Sequence, residues 1–401
     1  MPWKVCDIMK SRSEFVKLAL MIKSGESPGS FTELCERYEI SRKSGYKWLK
    51  RYETEGYEGL ADRSREPHHQ PLRADDATEK TVLDLREEHP AWGGRKLRKR
   101  LINLEVENVP SASTITEILR RHGKLSTAPE AGPQEFQRFE RKSPNDLWQM
   151  DFKGHFALKQ GGRCHPLTMT DDHSRFNICL SACINETSAT VQEHLIAAFR
   201  KYGLPIQILS DNGPAWSCTT RRRACNQLEA WLIRVGIDPI HGRPYHPQTQ
   251  GKEERFHRTL NAEVIRTRAE WEDIEQCERA FIKWRTIYNE VRPHESIEDD
   301  VPINRYQLSD RTYKENSGQR DMREHYQDGE KIRKVDRSGE ISYRGRPYYM
   351  GNGLTGEYVV IRSESEKISV VSYGWKQLGR IDLTISKDER GQLKPLRTPK
   401  Q

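Results

Sequence analysis

Three acidic residues, each in a different kind of segment, restrict this chain more than any other feature. Asp151 sits in Leu147-Trp148-Gln149-Met150-Asp151-Phe152, an apolar-rich run that reads as a strand. Asp211 closes a second such run, Ile206-Gln207-Ile208-Leu209-Ser210, and Asn212-Gly213 comes next as a turn. Glu254 lies on a helical stretch in which Phe256, Leu260 and Val264 recur on one side. Such carboxylates meet only if the two strands share a sheet and the helix packs on it. Gathered in one place, they can hold two Mg²⁺ ions against a phosphodiester, because Mg²⁺ takes oxygen ligands and tolerates retained waters.

The remaining chain divides by pattern. A chain of 401 residues holds about two to four domains. Only 34% of it is hydrophobic and 31% is charged, which favours several small domains on linkers over one large core. Residues 1–62 read as helices: Phe15, Leu18, Ala19 and Ile22 are helically spaced, Thr32 is placed to cap a short helix to Tyr38, and Ser41 to cap another from Arg42 to Glu53. This is the plan of a helix-turn-helix, whose second helix would present Arg42, Lys43, Ser44 and Lys47. Residues 75–124 repeat the plan, with helices over Thr78–Glu88, Arg95–Leu104 and, capped by Ser111, Ala112–His122; Lys96, Lys99 and Arg120 are its candidate phosphate contacts.

From residue 144 the composition changes. Strands are expected over Leu147–Leu158, His165–Thr170, Phe176–Ile184, Pro205–Ser210 and Pro239–His241. Helices are expected over Ala189–Tyr202, Leu228–Val235, Gln250–Arg268 and Trp271–Tyr288. This order predicts, over residues 144–292, an α/β mixed sheet of ribonuclease-H type. Short strands between glycines over residues 329–385 predict a small β-barrel, which could bind DNA, bind a second protomer or cap the core.

Net charge is +8, and basic residues cluster at Lys96–Arg100, Arg120–Arg121 and Arg221–Arg223, as suits a polyanionic partner. Eight scattered cysteines without a C-x-x-C pair argue against a disulfide framework and for a reducing cytoplasm. No apolar run approaches the roughly 18 residues of a membrane span. Gly93-Gly94 and Gly351-Asn352-Gly353 read as turns, and no Walker pattern indicates nucleotide binding. His241, His246 and His257 lack the paired cysteines of a zinc finger.

Taken in order, Trp148-Gln149-Met150-Asp151, the turn Asp171-Asp172-His173-Ser174-Arg175, Ser210-Asp211, His246-Pro247-Gln248-Thr249-Gln250-Gly251-Lys252-Glu253-Glu254 and Tyr288-Asn289-Glu290 with Arg292-Pro293-His294 make the chain resemble one family. It is similar to the insertion-sequence transposases of the Asp-Asp-Glu group, whose catalytic core is shared with retroviral integrases. The resemblance spans nearly all of residues 1–385. It implies that Asp151, Asp211 and Glu254 are catalytic and hold two Mg²⁺ or Mn²⁺ ions. It implies double-stranded DNA as partner, both the element's inverted repeats and the target, with at least a dimer on DNA and a bacterial, nucleoid-associated location. An inert DNA-binding protein or a metal-dependent nuclease of the same fold is the alternative.

Two competitors stand beside the three carboxylates. Asp171 and Asp172 fall in a turn, where Asp commonly bonds to backbone. Glu253 precedes Glu254, and successive helix residues differ by about 100°, so one of the two faces the site. Glu253 falls near the Phe256–Leu260–Val264 stripe and Glu254 shares a face with Arg258 and Asn261; the wheel leaves open which face meets the metals. The family pattern places its glutamate three residues after the glycine, here Gly251, which selects Glu254. Lys252, His257 and Arg258 flank it as candidate phosphate contacts.

Overall fold

The computed structural model describes residues 8–63, 74–125, 140–211, 213, 216, 225–241 and 251–384. It forms two compact units, one within residues 1–73 and one within 74–401.

In the first unit, α1 (Ile8–Ser24), α2 (Phe31–Arg37) and α3 (Arg42–Glu55) enclose Phe15, Val16, Leu34, Cys35, Trp48 and Leu49. Ser30, not Thr32, caps α2. Its hydroxyl accepts from the Glu33 N–H while the Glu33 carboxylate accepts from the Ser30 N–H, a reciprocal box that starts the helix at Phe31. Ser41 caps α3. A Cβ on Gly45 would stand 2.8 Å from the Cys35 sulfur, so the close approach of α2 and α3 requires glycine there.

The second unit begins with α4 (Asp76–Glu88), α5 (Gly94–Asn103) and α6 (Ala112–Arg121) around Val82, Leu97, Leu101, Ile115, Ile118 and Leu119. Asp75 caps α4 by accepting from the Thr78 N–H, which places Thr78 inside the first turn. Gly94 is a helix residue, not a turn residue. Its Cβ would lie 2.4 Å from the Ala112 carbonyl oxygen and from Thr116 Oγ1, so the glycine lets α5 lie against α6. Ile287 and Val291 pack into the same cluster, joining these helices to the sheet domain.

That domain contains β1 (Leu147–Phe152), β2 (Phe156–Ala157), β3 (Arg163–Asp171), β4 (Asn177–Cys183), α7 (Ser188–Tyr202), β5 (Gln207–Ser210), α8 (Gln227–Val235), β6 (Asp238–His241), α9 (Gly251–Glu263) and α10 (Ile274–Thr286). The chain expected to run as one strand through Leu158 breaks after Phe152, with Gly154 at φ +84°. β3 pairs antiparallel with β1 and β4, whereas β5 is parallel to β1 and β6 to β5. This is the ribonuclease-H arrangement. Trp148, Leu167, Met169, Leu195, Phe199, Ile208 and Trp231 fill the core between the sheet, α7 and α8. On another side Phe256, Leu260, Phe281, Trp284 and Tyr288 bring α9 and α10 against Cys164 and Leu180.

The expected barrel region comprises β7 (Lys331–Lys334), β8 (Glu340–Tyr343), β9 (Arg346–Tyr349), β10 (Tyr358–Ser363), β11 (Ile368–Tyr373) and β12 (Lys376–Asp382). They form a four-stranded antiparallel sheet, β12-β11-β10-β7, and a β8–β9 hairpin. Cys225, Ala230 and Ile233, from α8 and the residue two before it, share the tail's core. The tail thus caps that helix.

The Tyr288–His294 signature is a brace. The β3–β4 register shifts between Met169 and Thr170, opposite Asn177. Asn289 repairs the ladder there: its Oδ1 accepts from the Asn177 N–H (2.8 Å) and its Nδ2 donates to the Asn177 carbonyl (3.0 Å). α10 widens into a π turn over Ile287–Val291 as it delivers this side chain. Arg292 and Glu263, both nearly buried, pair at 2.9 Å, tying α10 to α9. Asn289→Ala should lower unfolding stability by about 1–3 kcal/mol in urea titrations, the cost of leaving the buried Asn177 N–H without a partner, since Arg285 Nε still donates to the Asn177 carbonyl; a loss below about 0.5 kcal/mol, less than one ordinary hydrogen bond contributes, would refute the brace.

Candidate active site

The parallel register of β1 and β5 pairs Leu147 with Gln207 and Gln149 with Leu209. Asp211 directly follows β5, and its charge reaches Asp151 on β1. Asp211 is fixed by its own neighbours. Its Oδ1 accepts the Gly213 N–H at 2.8 Å. Trp216 is buried against Phe152 and its carbonyl accepts from Asn226 Nδ2 at 2.6 Å. His241 on β6 lies 3.1 Å from the Asp211 carbonyl and 2.6 Å from Glu229 on α8. Burial, the largest single influence, works to lower the pKa of His241, but the hydrogen bond and charge of Glu229 with the Asp211 carbonyl together turn the net shift upward.

Across the sheet, Asp151 pairs with Thr168 on β3, so both side chains rise from the same face. α9 lies over that face. Glu253 is fully buried, and accepts hydrogen bonds from the hydroxyls of Thr168 (2.9 Å) and Thr170. One helical turn on, His257 places Nε2 2.9 Å from the Thr168 hydroxyl and Nδ1 3.9 Å from Asp151. Glu254 is exposed, as is Arg258, a face-sharing that follows from their spacing of four.

Electrostatics at this point are those of crowded like charges. Burial first, then the charges of Glu253 and Asp211, push the Asp151 carboxyl up to about 8. Burial also raises Glu253 to about 7, against its threonine hydrogen bonds. Burial lowers His257 to about 4, so it stays neutral. Three acids with a deficit of positive charge fit a divalent cation, since an ion would offset the repulsion that now holds a proton on Asp151. Asp151 lies within reach of the charge of Asp211, and Glu254 is exposed on α9. Glu253, by contrast, is held by the hydroxyls of Thr168 and Thr170 and no solvent reaches it.

Other expected contacts lie in several settings. Arg42, Lys43 and Lys47 are exposed on α3, and Ser44 donates its N–H to Ser41. Arg120 pairs with Glu117 on its own helix. Lys96 and Lys99 are half-buried; burial and then Arg292 lower Lys96 to about 8. Lys252 turns to Asp172, and burial with Arg175 lowers it to about 8. Asp171 accepts from the N–H groups of Asn145 and Ser174 and from the Ser174 hydroxyl, and Asp172 from the Arg141 N–H and Gln149. Both acids are therefore structural. Asn212, His246 and the Arg221–Arg223 run lie outside the described residues.

Known proteins carry the same parts. Residues 141–247 and 235–302 match models of the integrase core domain, and 330–389 match the C-terminal domain of IS481 family transposases. Together these matches support an insertion-sequence transposase with an integrase-like core. Residues 19–68 match a helix-turn-helix domain and 44–119 a homeodomain-like domain. The insertion element IS476 uncharacterized 39.2 kDa protein of Xanthomonas euvesicatoria is 25% identical over 62% of this chain and 69% of its own. The Gag-Pol polyprotein of avian reticuloendotheliosis virus is 33% identical over 35% of this chain, which spans only 12% of that polyprotein. Among solved structures, the HTLV-2 integrase catalytic core in complex with magnesium is 17% identical, with a TM-score of 0.32, over 41% of this chain and 99% of that one. The BIV integrase core is 24% identical, with a TM-score of 0.30, over 40% of this chain and 92% of that one.

The raised acids make stability depend on pH. Folded, Asp151 keeps its proton to about pH 8 and Glu253 to about 7; their ordinary values are 3.8 and 4.5. Between those limits the folded chain binds the extra protons, so rising pH favours unfolding. The metal-free protein should lose stability steadily from about pH 4 to 8 in thermal melts with EDTA. Asp151→Asn should flatten that slope and be more stable than the parent at pH 8; an unchanged slope would disprove the shared burial of these acids.

Proposed function

We propose that this transposase binds the terminal inverted repeats of its element through the N-terminal helices and cuts and joins DNA strands at Asp151, Asp211 and Glu254. What supports the reading best is the parallel pairing of β1 with β5, which brings Asp211, just past the end of β5, within reach of Asp151. These three residues would hold two Mg²⁺ or Mn²⁺ ions, which supply positive charge to offset that of the phosphodiester and to activate a water or a 3′-hydroxyl. The chain's own part is to fix the oxygens. The Gly213 N–H orients Asp211, β1 orients Asp151, and Glu253 locked on Thr168 and Thr170 sets the rotation of α9 that leaves Glu254 outward. Neutral His257 adds no positive charge beside Asp151. Arg258, exposed on the Glu254 face, is placed for a backbone phosphate.

Arg42, Lys43 and Lys47 on the exposed start of α3 are proposed to meet the repeat DNA, with Lys99 and Arg120 on the second three-helix unit. Because two element ends must be joined in one event, the active complex is proposed to be at least a dimer, acting at the bacterial nucleoid. No described helix is long and apolar enough to cross a membrane.

Strand transfer with labelled end DNA and Mg²⁺ tests the site. Asp151→Asn, Asp211→Asn and Glu254→Gln should each lower it by about 10³-fold or more, a loss of roughly 4 kcal/mol of transition-state stabilisation, while Glu253→Gln keeps it. Full activity in any of the first three removes that residue from the site, and loss in Glu253→Gln alone reverses the assignment on α9. Random fragments in place of joined products would indicate a nuclease, and a mobility shift without products an inert DNA-binding protein.

A further inference from the structure

Beside the three acids stands a group of different donors. His155 lies in the loop between β1 and β2, His165 on β3, and Glu186 in the loop from β4 to α7. One ligand atom from each lies within 4.8 Å of the others, and the two imidazole rings are 5.2 Å apart. We propose that His155, His165 and Glu186 form a binding site for one divalent transition ion of the zinc type, separate from the Asp151–Asp211–Glu254 oxygens.

The hydrogen bonds show where the lone pairs point. Arg163 Nη1 lies 2.6 Å from His155 Nε2. A guanidinium only donates, so that nitrogen accepts and carries a lone pair, which an ion can take once Arg163 leaves it. His165 Nδ1 lies 2.8 Å from Glu186 Oε1. An ionised carboxylate only accepts, so Nδ1 of the metal-free ring carries the hydrogen; an ion that takes both Nδ1 and Glu186 replaces that hydrogen bond, and the ring's proton moves to Nε2.

Donor chemistry selects the ion. Two imidazole nitrogens and one carboxylate suit Zn²⁺, Co²⁺ or Ni²⁺, whereas Mg²⁺ prefers oxygen. Ligands about 2.0–2.2 Å from a tetrahedral zinc stand roughly 3.5 Å from one another, so side-chain adjustments of about 1 Å close the set. The Glu186 and His165 side chains keep 35% and 17% of their exposure, which leaves coordination positions open to water. Arg163 is exposed and competes for His155 until it swings into solvent. Loaded, the site would fasten the β1–β2 loop to the β4–α7 loop. Glu186 is close enough for its charge to reach Asp151, so this fastening lies at the rim of the acidic site.

Titration of the full-length protein with Co²⁺ and with Zn²⁺, in excess Mg²⁺, tests the proposal through absorption and calorimetry. One site should appear without a thiolate-to-cobalt band. His155→Ala and His165→Ala should each weaken it by about 10–100-fold or more. Arg163→Ala should tighten it, and Asp151→Asn should leave it within about threefold, since a tenfold change already marks a lost partner. Equal affinity in the parent and in both histidine variants overturns the site. So does a thiolate band that persists in His165→Ala, or loss of the site in Asp151→Asn.

Discussion

A buried carboxylate beneath a helix governs how this catalytic domain is put together. Glu253 is closed off from solvent and sits next to Asp151, an arrangement that low dielectric makes costly for two negative charges. The fold answers in two ways. Thr168 and Thr170, which alternate along β3, turn their hydroxyls to the Glu253 oxygens, and the acids retain protons well above their usual range. Fixing Glu253 inward fixes the whole rotation of α9. Phe256 and Leu260 are drawn into the core with it, and Glu254 and Arg258 are carried to the open face. The selection of which glutamate meets solvent is therefore made by two threonines on a strand.

Much of this is readable from the chain alone. Short apolar runs locate β1, β3, β4 and β5, and with them Asp151 and Asp211, because these strands are buried along most of their length. Wheel geometry puts Glu253 near the apolar stripe and Glu254 on another face but stalls at which face meets the site, since the partners that fix Glu253 lie some eighty residues away at Thr168 and Thr170. Helix caps mislead for a related reason. Thr32 and Thr78 look like helix starts, but Ser30 and Asp75 stand the correct three residues ahead of Glu33 and Thr78.

Charged residues are the least legible. Lys96, Lys252 and His257 have the composition of a phosphate-binding surface, yet each is at least partly enclosed, Lys252 by Asp172 and His257 by Asp151 and Thr168. A sequence displays a charge without its neighbour. The Tyr288–His294 signature shows the converse: it reads as a family mark, and its physical content is a repaired β-ladder at Asn177 and a buried ion pair between Arg292 and Glu263.

The tail changes what counts as a separable piece of this protein. Cys225 exchanges backbone hydrogen bonds with Met350 and Gly353, Trp375 donates to the Ile233 carbonyl, and Lys376 pairs with Asp238. The chain leading from Asp211 into α8 is thus stitched at its far end to residues more than a hundred positions later. A truncation after α10 would strip Ala230 and Ile233 of their apolar cover and leave a greasy seam on the integrase core. The boundary that matters to folding runs through the interface, not along the linker.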